Sequence, residues 1–199
     1  MLRPTIATAL LLLVPSAPAA AQESGPIRLE RGARVVLMGN GLGSRMLHFG
    51  HFETGMHLRF PDEQLFVRNM CDEGNTPAFR PHSGRANQLG FPGAEAFTAP
   101  YTGGRIAEGI GHFATEEEWL ARLAPDVLVA FFGFNESFRG GAGLADFRAE
   151  LDAFVAHTKQ QRYGGESPPE LVLVSPTAFE DRSDALGVSD GQRENANLA

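Results

Sequence analysis

Three asparagines, Asn40, Asn69 and Asn135, each stand at or just beyond the end of a short apolar run. A carboxamide is a neutral donor and acceptor, suited to holding a carbonyl or an oxyanion. Asparagine also tolerates the backbone angles of strand-to-helix turns, so each has a purely structural reading too. Glycines stand beside two of them, in Gly39-Asn40-Gly41-Leu42 and Gly133-Phe134-Asn135-Glu136. Cys71 is the sole cysteine. It could act as a thiol nucleophile, but no base is evident, and a lone cysteine usually packs as a small hydrophobe. Ser44, three residues beyond Gly41, reads as a helix cap rather than a nucleophile. His82 and His112 lie in a long irregular stretch from which they could approach a pocket.

His48, His51 and His57 with Glu53 form a second concentration of chemistry. On a helix, His48 and His51 lie roughly 60° apart and His57 about 180° from His48, so the three cannot converge on one metal ion. Structural roles are expected for all four, and neither metal nor cofactor is implied. The stretch Val35-Val36-Leu37-Met38-Gly39-Asn40-Gly41-Leu42-Gly43-Ser44 is G-x-G-x-G, one residue short of a dinucleotide fingerprint. No Gly-Lys-Ser/Thr is present, and the second strand ends in Asn69 rather than an acid for a ribose.

Elements that would position these residues follow from periodicity. Arg34 to Met38, Leu65 to Asn69, Val127 to Phe132 and Leu171 to Val174 read as strands, the central ones buried on both faces. Ser44 to Phe60 places Met46, Phe49, Phe52, Met56 and Phe60 on one helical stripe, although Glu53 falls inside it. Thr115-Glu116-Glu117-Glu118 is a capping box that opens a helix with Trp119, Leu120 and Leu123 inward. Leu144, Phe147, Leu151, Phe154, Val155 and Thr158 mark a further helix, stopped by Gly164-Gly165. Another helix is expected over Gln192 to Ala199. Between Cys71 and His112 run 42 residues with eight Gly and four Pro, a length typical of lids or binding loops and equally of a floppy insertion. Apolar strands alternating with amphipathic helices predict an α/β fold, a parallel sheet with helices on both faces. In such sheets ligands bind beyond the carboxyl ends of the strands, where the three asparagines fall.

The chain has 199 residues, which fits one domain of ordinary size plus a tag or tail. Its formal charge is −7, Lys159 is its only lysine, and Lys and Arg form no cluster. That argues against nucleic-acid partners and against docking on anionic lipid. Arg3, the apolar run Thr5 to Val14 and the small-residue stretch ending Ala19-Ala20-Ala21 make a signal peptide over residues 1–22, so a secreted or periplasmic location is expected. The run is too short to span a bilayer.

The blocks Gly39-Asn40-Gly41-Leu42, Asn69-Met70-Cys71 and Gly133-Phe134-Asn135-Glu136, with Ala130 to Ser137 and Val172-Leu173-Val174-Ser175-Pro176, resemble the SGNH (GDSL-type) hydrolases, particularly domains of secreted planctomycete-type proteins. The resemblance covers about residues 33 to 199. It implies a three-layer flavodoxin-like sheet and an ester or acetylated carbohydrate-like ligand. It also implies a site in which a serine at position 41 attacks, while Asn135 and backbone amides at Cys71 hold the oxyanion. Asn40, Asn69, Cys71 and Gly133 are the ligand-binding positions it implies. The departures are chemical. Position 41 is Gly, Asn40 replaces an acid, Cys71 replaces a glycine, and no D-x-x-H base occurs before Ala199, where the domain is expected to be cut short of a fifth strand. Without a hydroxyl at position 41 no acyl-enzyme can form there. The expectation is therefore an inactive, ligand-binding domain of esterase type. A secreted interaction module or a nucleotide-binding α/β module is the alternative.

Overall fold

A computed structural model describes residues 27–98 apart from 83 and 86, residues 113–178, and residue 196. The leader over 1–22, His112 and all but Ala196 of the expected terminal helix lie outside the described residues. Four strands, β1 (Arg34–Gly39), β2 (Phe66–Asn69), β3 (Val127–Phe131) and β4 (Glu170–Val174), form one all-parallel sheet in the order β2-β1-β3-β4. This is a three-layer α/β architecture of flavodoxin-like strand order.

The sheet's alternation sorts the core into two layers. Val36, Met38, Leu128, Ala130 and Phe132 face one side, where they meet Ala78, Phe91 and Ala94 of the long connection, Leu120 of α3 (Glu116–Leu123) and Phe154 of α5 (Leu144–Thr158). Val35, Leu37, Val127, Val129 and Phe131 face the other, against Leu42 and Met46 and against Phe52 and Met56 of α2 (His51–Arg59). Phe132 and Phe154 meet edge to face at 5.3 Å. Burial of each such ring contributes about 1.5–3 kcal/mol. β1 and β3 are central and read as unbroken apolar runs; β2 and β4 are edges with exposed Phe66 and Leu173.

The Thr115 capping box forms as expected. Glu118 N donates to Thr115 Oγ1 at 3.3 Å, and Thr115 N to Glu118 Oε2 at 2.6 Å. The single helix expected over Ser44 to Phe60 does not. A five-residue α1 (Gly41–Arg45) ends in turns, and α2 starts afresh after Gly50. Gly50 and Gly55 weaken any continuous helix here. The stripe is split: Met46, Phe52 and Met56 pack inward, but Phe49 is exposed. Ser44 is buried within α1 and is not its cap; Asn40 holds that position. Trp119 also differs from expectation. It lies at the rim with Arg122 stacked 5.4 Å above its ring, and Leu144 is exposed at the start of α5. Strand β3 ends one residue early, because a single turn, α4 (Phe134–Ser137), begins immediately after Gly133. Among the described residues no helix is long and apolar enough to cross a membrane.

Candidate functional site

Parallel strands deliver Asn40, Asn69 and Asn135 to one edge of the sheet, the carboxyl edge. There two of them converge on a residue of the long connection, Asn75. Asn40 Nδ2 donates to Asn75 O at 2.8 Å, and Asn135 Nδ2 donates to Asn75 O at 3.0 Å and to Glu73 O at 2.6 Å. Asn75 Nδ2 returns a bond to Gly39 O at 3.1 Å. Asn69 spans the neighbouring gap. Its Nδ2 donates to Gly43 O and its Oδ1 accepts from Cys71 N, both at 2.8 Å. The asparagine donors are therefore engaged with backbone carbonyls, and the loop carrying residues 72–75 is stitched across the tops of β1, β2 and β3. Asn75 lies in an aperiodic segment, and no pattern in the sequence marks it.

Gly41 has φ +42°, a backbone region that favours glycine, and a Cβ there would sit 3.3 Å from the Phe134 Cβ. Gly43 packs flat on Cys71 Sγ and Phe131, leaving no room for a side chain. Burial pushes the Cys71 thiol up to about 12, with Glu116 adding to the rise. A thiol so placed stays protonated and packs as a core residue. The crevice beside this turn, lined by Asn40, Leu42, Phe134, Ser175 and Pro176, holds only about 10 Å³. That is room for a single water at most.

Beside it Glu136 is buried at 4% exposure. Its Oε2 accepts from Gly133 N at 2.8 Å, while its Oε1 has no hydrogen-bond partner among the described residues. Burial raises its pKa; the bond from Gly133 and the nearby Asn40 amide oppose the rise. Gly133 and Glu136 border a cavity of about 310 Å³ with Gly140, Leu144, Phe147 and Pro176. Glu150 lies deeper, its Oε1 accepting from Thr76 Oγ1 at 2.6 Å and Ala78 N at 2.7 Å.

The most polar opening on this edge lies beyond β2. It holds about 210 Å³ and is lined by Asn69, Cys71, Arg68, Arg85, Glu116 and Trp119, among others. Glu116 in its lining belongs to a charge pair inside the protein. Arg80, 1% exposed, places Nε 3.4 Å from Glu116 Oε1, and its guanidinium lies 4.9 Å from the Phe132 ring centroid. Arg85 Nη1 approaches Glu116 Oε2 at 3.9 Å. Burial raises the Glu116 carboxyl and lowers Arg80, each restrained by the other's charge. An arginine remains charged nonetheless. His82 lines the same cleft, its Nδ1 accepting from Gly84 N at 3.1 Å and its ring tilted against Phe113. Arg80 and Arg85 escaped the sequence reading, and Glu116 entered it only as part of a helix cap, since isolated charges ordinarily mark a solvated surface.

His48, His51 and His57 are all exposed, and Glu53 sits 3.9 Å from His57 in a solvent-facing pair. Among the described residues no group of three or more His, Cys, Asp or Glu is placed to hold a metal ion. A cavity of about 410 Å³ lies at the opposite, amino end of the sheet, bordered by Arg31, Gly32, Asp126 and Glu170 among others. Comparison of the chain with protein-family models, with curated proteins and with solved structures finds no match.

Proposed function

We propose that this chain is an SGNH-like domain that binds an ester-bearing or acetylated carbohydrate-like ligand and does not hydrolyse it. The observation that carries the reading is one contrast at the carboxyl edge. Position 41 is a glycine at φ +42° beside a 10 Å³ crevice, whereas a polar cleft of about 210 Å³ opens beyond β2. Acyl transfer needs an attacking oxygen, a base within reach and space for a tetrahedral intermediate. The turn after β1 offers no side-chain oxygen at position 41 and little space. The Asn135 amide, which the resemblance assigns to the oxyanion, is occupied by Glu73 O and Asn75 O. Its part in this reading is to hold the loop that forms the cleft wall. The leader-like residues 1–22 support a secreted or periplasmic setting for such a binding domain.

The test combines chemistry with binding. Purified protein is offered 4-nitrophenyl acetate and a serine-directed fluorophosphonate, and separately titrated with acetylated xylo-oligosaccharides by calorimetry. No turnover above background, no covalent label and saturable binding are expected. Enzymic turnover, or labelling that disappears in Ser44→Ala, overturns the reading.

A further inference from the structure

We infer that the cleft beyond β2 is built to take the carboxylate of an acidic sugar. This deepens the ligand-binding reading above and rests on it. The chain carries a formal charge of −7, yet this opening gathers Arg68 and Arg85, with Arg80 behind Glu116 in its wall. The acids present are already engaged. Glu116 is shared by Arg80 at 3.4 Å and Arg85 at 3.9 Å, and Asp72 Oδ1 accepts from Gly74 N at 3.3 Å. Arg68 has no ion pair among the described residues; counting Arg80, three arginines stand against two acids, Glu116 and Asp72, a surplus of one positive charge.

Beneath the cleft surface, Arg85 Nε and Arg80 Nη2 are buried and have no acceptor among the described residues. An oxyanion seated between Arg68 and Arg85 meets their positive charge, and the planar guanidinium matches a carboxylate with two parallel bonds. Size and lining narrow the class. At about 210 Å³ the cleft is smaller than a drug-sized pocket of roughly 300–1,000 Å³ and suits a single ring. Trp119 borders it at 36% exposure, offering an indole for the apolar face of a pyranose, while His82 offers a polar contact for hydroxyls. A neutral ester would leave the surplus charge as it is.

The test titrates the full chain with sodium D-glucuronate, D-glucose and inorganic phosphate by protein-observed NMR. Glucuronate is expected to bind at least about tenfold more tightly than glucose, and to weaken about tenfold in Arg85→Met and in Arg68→Met, as loss of a charge-assisted bond requires. Trp119→Ala should weaken glucuronate and leave phosphate unchanged. Arg68 is exposed on an edge strand, so Arg68→Met decides the matter if Arg85→Met fails to fold. The inference is overturned if glucuronate binds no better than glucose, if no anion binds, or if phosphate binds more tightly than glucuronate. Binding of neutral acetylated oligosaccharides untouched by both arginine variants sinks the acidic-sugar inference alone; ester turnover sinks the ligand-binding reading beneath it.

Discussion

Asn40 and Asn135, on the turns after two neighbouring strands, donate to the same carbonyl oxygen, that of Asn75, at 2.8 and 3.0 Å. One acceptor with two lone pairs thus joins the ends of β1 and β3 to the loop that leaves β2. The shared acceptor makes these residues parts of the scaffold.

Asn40→Ala should therefore act on stability. It leaves a buried acceptor one donor short and a void at a position 1% exposed. A loss of about 1–3 kcal/mol is expected in urea denaturation. Affinity for the cleft ligand should change little in the folded variant; a variant of native stability that had lost its ligand would contradict this.

Gly41→Ser puts back the missing hydroxyl in the wrong place. A non-glycine residue at φ +42° is strained, and the new Cβ meets Phe134 at 3.3 Å. The strain should cost about 1–3 kcal/mol. Hydrolysis of 4-nitrophenyl acetate should remain at background, because the chain contains no D-x-x-H base to activate the oxygen.

The Arg80–Glu116 pair should behave as a buried ion pair. Arg80→Met alone leaves the Glu116 carboxylate buried beside only the more distant Arg85, and should lose about 3–5 kcal/mol. The double variant Arg80→Met with Glu116→Gln should recover much of that loss. Additive losses in the double-mutant cycle would show that the two side chains are not coupled.

Glu136 gives a pH dependence of defined sign. Burial raises its pKa in the folded state above the ordinary value of 4.5. Between those two values the folded chain holds a proton that the unfolded chain releases, so stability falls as pH rises through that window. Glu136→Gln retains an acceptor for Gly133 N and has no charge to desolvate. Relative to wild type its stability should grow as pH rises from about 4.5 upward, read as urea midpoints at a series of pH values. A constant difference across the series would refute the assignment.

Cys71 should resist alkylation. With its thiol pushed up to about 12, iodoacetamide at pH 8 should label it only as fast as the protein unfolds, and added urea should accelerate labelling sharply. Rapid labelling of the native protein would indicate a thiolate.

The strands and their parallel order were legible because each is an apolar run bounded by turn residues, as in Val127 to Phe131. The arrival of three asparagines at one edge followed from the same runs. What they do there was not legible, since it depends on Asn75, a residue among 42 without periodicity. The break at Gly50 was missed for a related reason. The steps from Met46 to Phe60 satisfy a helix, and only the backbone cost of Gly50 and Gly55 argues against one. Arg80 was hidden by its type. Nothing local announces that a guanidinium will lie under Phe132, because burial is decided by segments far apart in the chain.

The loop stitched down through Asn75 has a further implication. Of the asparagines that fasten the carboxyl edge, Asn40 is buried away from the cleft, while Asn69 and Asn75 share its lining with Arg68, Arg85 and Trp119. Fastening falls to the asparagines, and the indole of Trp119 and the guanidinium of Arg68 take no part in it. Such a division leaves the rim free to be rewritten for a different guest, with the joinery beneath it undisturbed.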